Sequence, residues 1–183
     1  TTLRDGHVRV RGAQIEVKFK GKHGILHHRR LSDARLARIM QNCSDLPGEE
    51  LFQYLDENGE QRLVTSNDVN DYLREISGQQ VTAKYFRTWA ATRRAVQECI
   101  SCGDEKPTKK SIVEIAARVA ERMGNTPTVC RKSYIHPRVF EAHLSGALRE
   151  FCATTRRGTR EPTRAAVEKV VLRLLAAEVE ARA

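Results

Sequence analysis

A mainly α-helical chain with a small antiparallel β-sheet at its N-terminus is the fold class that this sequence predicts, and three observations predict it. Apolar and basic residues alternate with period two from His7 to Lys20, the pattern of a half-buried strand pair. From Asp33 onward the apolar residues recur instead at three- and four-residue spacing, the period of a helix face. With 183 residues, 20.7 kDa, 40% hydrophobic residues and a mean hydropathy of −0.53, the chain can bury a core without disulfide staples.

The elements follow in order. Val8 and Val10, then Ile15, Val17 and Phe19, mark two strands about Gly12-Ala13, and a third short strand through Ile25, Leu26 and His27 is expected after Gly21-Lys22-His23-Gly24. Leu36, Ile39 and Met40 form one helix face, and Leu51, Phe52 and Leu55 predict another. Val69, Tyr72, Leu73 and Ile76 recur at i, i+3, i+4 and i+7 behind Ser66 as N-cap, with Gly48, Asn58-Gly59 and Gly78 as punctuation. A longer helix is predicted from Ala83 to Ile100, broken between Gly103 and Pro107. Ile112, Ile115, Ala116, Val119 and Met123 then build an amphipathic helix that Gly124 stops. A short segment from Val129 to Ile135 ends at His136-Pro137, a short helix covers Phe140 to Leu148, and a last helix runs from Thr163 through Val167, Val170, Val171, Leu174 and Leu175. Arg156-Arg157-Gly158-Thr159-Arg160 reads as a solvated basic linker before it.

Charge narrows the partner. Thirty-two Lys and Arg against 23 Asp and Glu give a net charge of +9 and a pI near 9.6, which favours a polyanion. No apolar run approaches the roughly 18 residues of a membrane span, and no segment has the n-region, h-region and cleavage site of a secretory leader. The five cysteines are unevenly spaced, so reduced thiols in the cytoplasm are expected. Cys99 and Cys102 form a CxxC, but a structural zinc site needs a second close pair, which Cys43, Cys130 and Cys152 do not supply; no metal is expected, and the pair is placed at a helix end.

Four local motifs carry the sharper reading: Phe19-Lys20-Gly21-Lys22, Lys84-Tyr85-Phe86-Arg87-Thr88-Trp89, Gly124-Asn125-Thr126-Pro127, and Cys130-Arg131-Lys132-Ser133-Tyr134-Ile135-His136-Pro137. In this order and at these separations they resemble the catalytic domain of type IB DNA topoisomerases of the poxvirus-like and bacterial kind, over about Thr1 to Leu148. The resemblance implies the catalytic-domain fold shared with tyrosine recombinases, no cofactor, double-stranded DNA as partner, a monomer, and a cytoplasmic, nucleoid-associated location. It also implies that the whole of 1–183 is one catalytic domain: a sheet portion to residue 30, a helical body carrying the active site to 155, and the basic linker with its helix to 183.

Residue by residue, the resemblance implies Tyr134 as a nucleophile that forms a 3′-phosphotyrosyl link and releases a 5′-hydroxyl. A phenol with a pKa near ~10 is a poor nucleophile at neutral pH, so surrounding cations must stabilise its transition state. Arg87 matches the family's arginine, whose guanidinium fork can donate two hydrogen bonds to the nonbridging oxygens. Lys22, in the turn between two strands, matches the lysine that protonates the departing 5′ oxygen. Asn125 stands where poxvirus members and many recombinases have histidine; its amide can still donate to a nonbridging oxygen, but it cannot titrate. Lys84, Lys20, His23, Arg131 and Lys132 are the expected phosphate contacts. Alone, each of these residues has an ordinary alternative: a half-buried tyrosine, a surface ion pair, a helix-capping asparagine, a solvated lysine. The ordered set is what favours catalysis.

The family's second arginine falls in a segment upstream of the residues matched by Thr1-Thr2-Leu3-Arg4, and Arg4, Arg9 and Arg11 do not take its place. The DNA-clamping N-terminal domain of family members is likewise expected to be missing from these residues, so the activity of the chain by itself is in question. Two rival readings are a tyrosine recombinase or integrase, disfavoured by Lys84 and Asn125 where that family usually carries histidines, and a DNA-binding fragment without chemistry.

Overall fold

The computed structural model describes residues 3–21, 24–102, 107–149 and 162–180. The chain divides into two compact units, Thr1–Thr82 and Ala83–Ala183. The first is built on a three-stranded antiparallel sheet in the order β1 (Val8–Arg11), β2 (Gln14–Lys20), β3 (Leu26–Ser32). Val8 pairs with Val17 and Val10 with Ile15 across β1 and β2, so one face is apolar and packs on helix α1 (Ala34–Ser44). Ile15, Ala37, Met40 and Leu51 are the buried centre of this unit. β3 starts one residue after Ile25 and runs past the expected His27 to Ser32. Its basic part is held in register because Glu16 accepts from His28 (2.7 Å) and Arg30 (2.9 Å) across the β2–β3 pair.

The expected apolar face of α1 is shifted. Met40 is buried together with Ala37, whereas Leu36 and Ile39 are exposed. Asp33 caps the helix, accepting from the Leu36 N–H at 2.9 Å.

The helix predicted from Leu51, Phe52 and Leu55 is not formed. These residues lead into a hairpin of β4 (Gln53–Leu55) and β5 (Gln61–Leu63). Asp56 decides the matter, because its carboxylate accepts from the backbone N–H groups of Asn58 (3.0 Å) and Glu60 (2.9 Å), and Gly59 takes a φ of 79° that closes the turn. An apolar run this short fits both periods, and the turn chemistry of Asp56-Glu57-Asn58-Gly59 chooses between them. Helix α2 (Ser66–Ser77) follows, with Thr65 rather than Ser66 as its N-cap: the Thr65 hydroxyl accepts from Asp68 N–H while the Asp68 carboxylate accepts from Thr65 N–H. Tyr72 and Ile76 of its predicted apolar stripe are exposed.

The second unit is helical: α3 (Ala83–Ser101), α4 (Lys109–Met123), the short α5 (Pro127–Val129), a π-helical turn (Cys130–Tyr134), α6 (Pro137–Ser145) and α7 (Arg164–Glu180). Small residues of α3 (Ala91, Ala95, Val96) let α4 approach closely with Ile112, Ile115, Ala116 and Val119, while Val139 of α6 and Val167, Val170, Val171 and Leu174 of α7 complete the core. Each fully buried Val, Ile or Leu side chain among these contributes about 1.5–3 kcal/mol relative to exposure. The expected helix to Leu148 stops at Ser145, where Gly146 turns the chain with a φ of 82°. The basic linker 156–160 lies outside the described residues. A mostly helical chain with a small N-terminal antiparallel sheet is therefore observed, with the additional β4–β5 hairpin.

Candidate active site

Helix α3 has one face that changes character along its length. Lys84, Arg87, Thr88, Ala91, Thr92 and Ala95 share that face by their three- and four-residue spacing. It is buried from Ala91 onward, but Lys84 and Arg87 are exposed. The two cations thus emerge where the core ends. At a rise of about 1.5 Å per residue, Arg87 lies about 7.5 Å along the axis from Thr92.

Asn125 is positioned by the end of α4. Gly124 adopts a left-handed conformation (φ 63°, ψ 44°), its N–H bonds the Glu121 carbonyl at 3.2 Å, and the Asn125 N–H reaches back to the Ala120 carbonyl at 2.9 Å. These two reversed bonds are a Schellman motif. The backbone of Asn125 is spent on capping, and its side chain remains half-buried and uncommitted to the cap.

From there the chain is steered directly into the tyrosine segment. The Thr126 hydroxyl caps α5 through the Val129 N–H (3.3 Å), Pro127 occupies the first helical position, and the Cys130 N–H bonds the Thr126 carbonyl at 3.0 Å. The next turn is wider than an α-turn: the Ile135 N–H bonds the Cys130 carbonyl at 2.8 Å, an i→i+5 closure. Cys130 and Ile135 are buried, so they anchor both ends of the turn. Arg131, Lys132 and Ser133 face solvent, and Tyr134 is half-buried with its ring against the helical core. Burial pushes the Cys130 thiol pKa up, which makes it a packing residue and not a nucleophile.

One residue ties α3 to this turn. Thr92 is 2% exposed; its hydroxyl donates to the Tyr134 carbonyl (3.3 Å) and accepts from the His136 N–H (3.1 Å). It therefore holds the backbone on both sides of Ile135. Sequence reasoning did not single out Thr92, because its partners are more than 40 residues away. The one available signal was a hydroxyl at a core position of the helix, in Ala90-Ala91-Thr92.

The structure brings Arg87, Lys84, Asn125, Arg131, Lys132 and Tyr134 into the second unit, on elements that pack together: α3 and α4 both touch the Cys130–Tyr134 turn. Lys20 is in the first unit, exposed at the end of β2. Lys22 and His23 lie outside the described residues. Of the described residues on either side, the Gly21 N–H bonds the Ile25 carbonyl at 2.8 Å and the Gly24 N–H the Gly21 carbonyl at 3.1 Å. A Cβ at Gly21 would sit 2.6 Å from Nε2 of His27, whose ring is stacked on Phe19 at 4.9 Å, so a larger residue there would displace that ring. Cys99 is buried near the end of α3 and Cys102 half-buried just past it, the latter accepting from Arg118 at 3.6 Å. Among the described residues, no three His, Cys, Asp or Glu side chains converge on a metal-sized site.

The family model described as eukaryotic DNA topoisomerase I, catalytic core, matches residues 1–155. A DNA topoisomerase 1B from Acanthamoeba polyphaga mimivirus is 30% identical over 145 residues, which cover 74% of this chain and 43% of that protein. The chain thus spans less than half the length of the curated relative it matches. All four motifs lie inside the span matched by the family model, and on that ground the chain belongs to the type IB DNA topoisomerase family, as part of its catalytic core.

Proposed function

We propose that this chain is the catalytic core of an enzyme that relaxes supercoiled DNA by transient cleavage of one strand through Tyr134. The observation that carries the proposal is the family match over 1–155, which includes the tyrosine turn and the helix bearing Arg87. The tyrosine oxygen attacks the phosphorus of a DNA phosphodiester as the bond to the 5′ oxygen breaks. The products are a 3′-phosphotyrosyl ester and a 5′-hydroxyl. The phenol proton leaves to solvent, and the departing 5′ oxygen takes a proton from Lys22. Charge on the two nonbridging oxygens grows in the pentacoordinate transition state, and Arg87 meets it with a bidentate fork that a lysine could not present. The Asn125 amide donates a further neutral hydrogen bond. One ester replaces another, so strand rotation can be followed by attack of the 5′-hydroxyl on the phosphotyrosine without ATP.

Lys84, Lys20, His23, Arg131 and Lys132 supply phosphate contacts in this reading, with duplex DNA as the partner and one chain carrying every group named. The test is a covalent one. After incubation with nicked or supercoiled DNA and an SDS quench, the chain should give a protein–DNA band. Tyr134→Phe should abolish that band while binding duplex with unchanged affinity. A band that persists in Tyr134→Phe would remove Tyr134 from the role, and a chain that binds DNA with no adduct under any condition would leave a binding module.

A further inference from the structure

The outer face of the three-stranded sheet is strongly basic, and the tyrosine chemistry leaves most of it unused. The β1–β2–β3 register places Arg9, Arg11, Gln14, Glu16, Lys18, Lys20, Leu26, His28, Arg30 and Ser32 on the side opposite the core. Counting histidine as neutral, those ten positions hold five cations and one carboxylate, so four of the net nine positive charges of the chain stand on one sheet face. A merely solvated face has no need of one sign. Its carboxylate is already engaged: Glu16 accepts from Arg30 at 2.9 Å and from His28 at 2.7 Å. Arg9, Arg11, Lys18 and Lys20 form no ion pair with any described residue, and all four are exposed. A depression of about 340 Å³ lined by Arg9, Arg11, Gln14, Ile15, Glu16 and Arg30 sits at the end of the face remote from the β2–β3 turn.

We propose that this sheet face is an additional duplex-DNA contact that tracks one phosphate backbone along β2, from the depression at Arg9 and Arg11 to Lys18 and Lys20. Charge complementarity and length select the partner. The seven residues of β2 span about 20 Å at roughly 3.3 Å per residue, the axial length of about six nucleotides of one strand. Cations at both ends and along the middle of that length suit a regular line of phosphates, and they carry no apparatus for reading bases. The depression offers two guanidinium forks at one point, where a phosphate can be held bidentately. This inference rests on the DNA-cleaving reading above and extends its footprint.

The test compares two double variants of the full chain with equal loss of charge, Arg9→Gln/Arg11→Gln on the sheet face and Arg35→Gln/Arg38→Gln on the exposed side of α1. The dissociation constant for a 30-bp duplex is measured from about 50 to 200 mM KCl. Each phosphate contact contributes about 0.9 to the slope of log affinity against log salt, so the sheet variant should be shallower by about 1.8. Over that fourfold range of salt the unaltered chain should then lose about tenfold more affinity than the sheet variant, whereas the α1 variant should follow the unaltered chain closely. Equal slopes in the two variants would overturn the proposal. So would unchanged duplex binding with lost binding to poly-glutamate in the sheet variant, which would assign the face to an acidic protein. Failure of the underlying reading looks different, because the unaltered chain would then give no Tyr134 adduct whatever the sheet variants do.

Discussion

At the scale of single residues, the tyrosine owes its position to a hydroxyl it does not share a motif with. Thr92 bridges the Tyr134 carbonyl and the His136 N–H from inside the core. Replacing it with valine keeps the shape but leaves the His136 N–H without that partner, at a cost of about 1–3 kcal/mol, and frees the backbone that carries the phenol. Thr92→Ser retains the bridge. Adduct formation measured well below the melting temperature of both variants should therefore fall strongly in Thr92→Val and little in Thr92→Ser, with DNA affinity similar in the two. Equal rates would make Thr92 a packing residue only. The family was legible because each of the four motifs is a recognisable local string, and the capping role of Gly124 follows from residue type. Thr92 was not legible, since its meaning depends on a contact between α3 and a turn more than 40 residues on.

At the scale of elements, local chemistry outranked periodicity wherever the two disagreed. Leu51, Phe52 and Leu55 have helical spacing, yet the carboxylate of Asp56 and the positive φ of Gly59 make a hairpin. The long, strongly periodic α3 and α4 were readable nearly to their ends, because many turns of apolar spacing outweigh any single capping residue. Contacts between helices were not readable. One of these has a consequence for pH. His143 on α6 is buried, and its Nε2 meets the Ser111 hydroxyl at 3.0 Å, while Ser111 itself donates to the Thr108 carbonyl and caps α4. Burial first, and then the Arg149 charge, lower the pKa of His143 below 6.5. The unfolded chain therefore binds this proton more readily than the folded one. Stability from this site is fully present above about pH 6.5, is lost as pH falls toward the lowered folded value, and is constant below it. Thermal unfolding followed from pH 7.5 to 5 should show that decline in the unaltered chain and a smaller one in His143→Gln, which cannot titrate. Identical profiles would assign the acid sensitivity elsewhere.

At the scale of the whole molecule, two compact units carry different shares of the proposed chemistry. The second holds the proposed nucleophile Tyr134 with Arg87 and Asn125, and the residue range of the first includes Lys22. Removing one donor to a transition-state oxyanion costs roughly 10²–10³ in rate. Arg87→Ala should accordingly form the Tyr134–DNA adduct about that much more slowly than the unaltered chain, and relaxation in the proposed reading should act on both positive and negative supercoils. Adduct formation and relaxation should proceed in EDTA and without nucleotide, because in the proposed reading the phosphotyrosyl ester conserves the energy of the broken bond and Arg87 and Lys22 meet the charge that develops. Gel assays of plasmid relaxation with and without chelator settle the point. Strict dependence on a divalent metal would overturn the division of labour argued for Arg87 and Lys22, and an adduct rate in Arg87→Ala equal to that of the unaltered chain would remove Arg87 from the transition state.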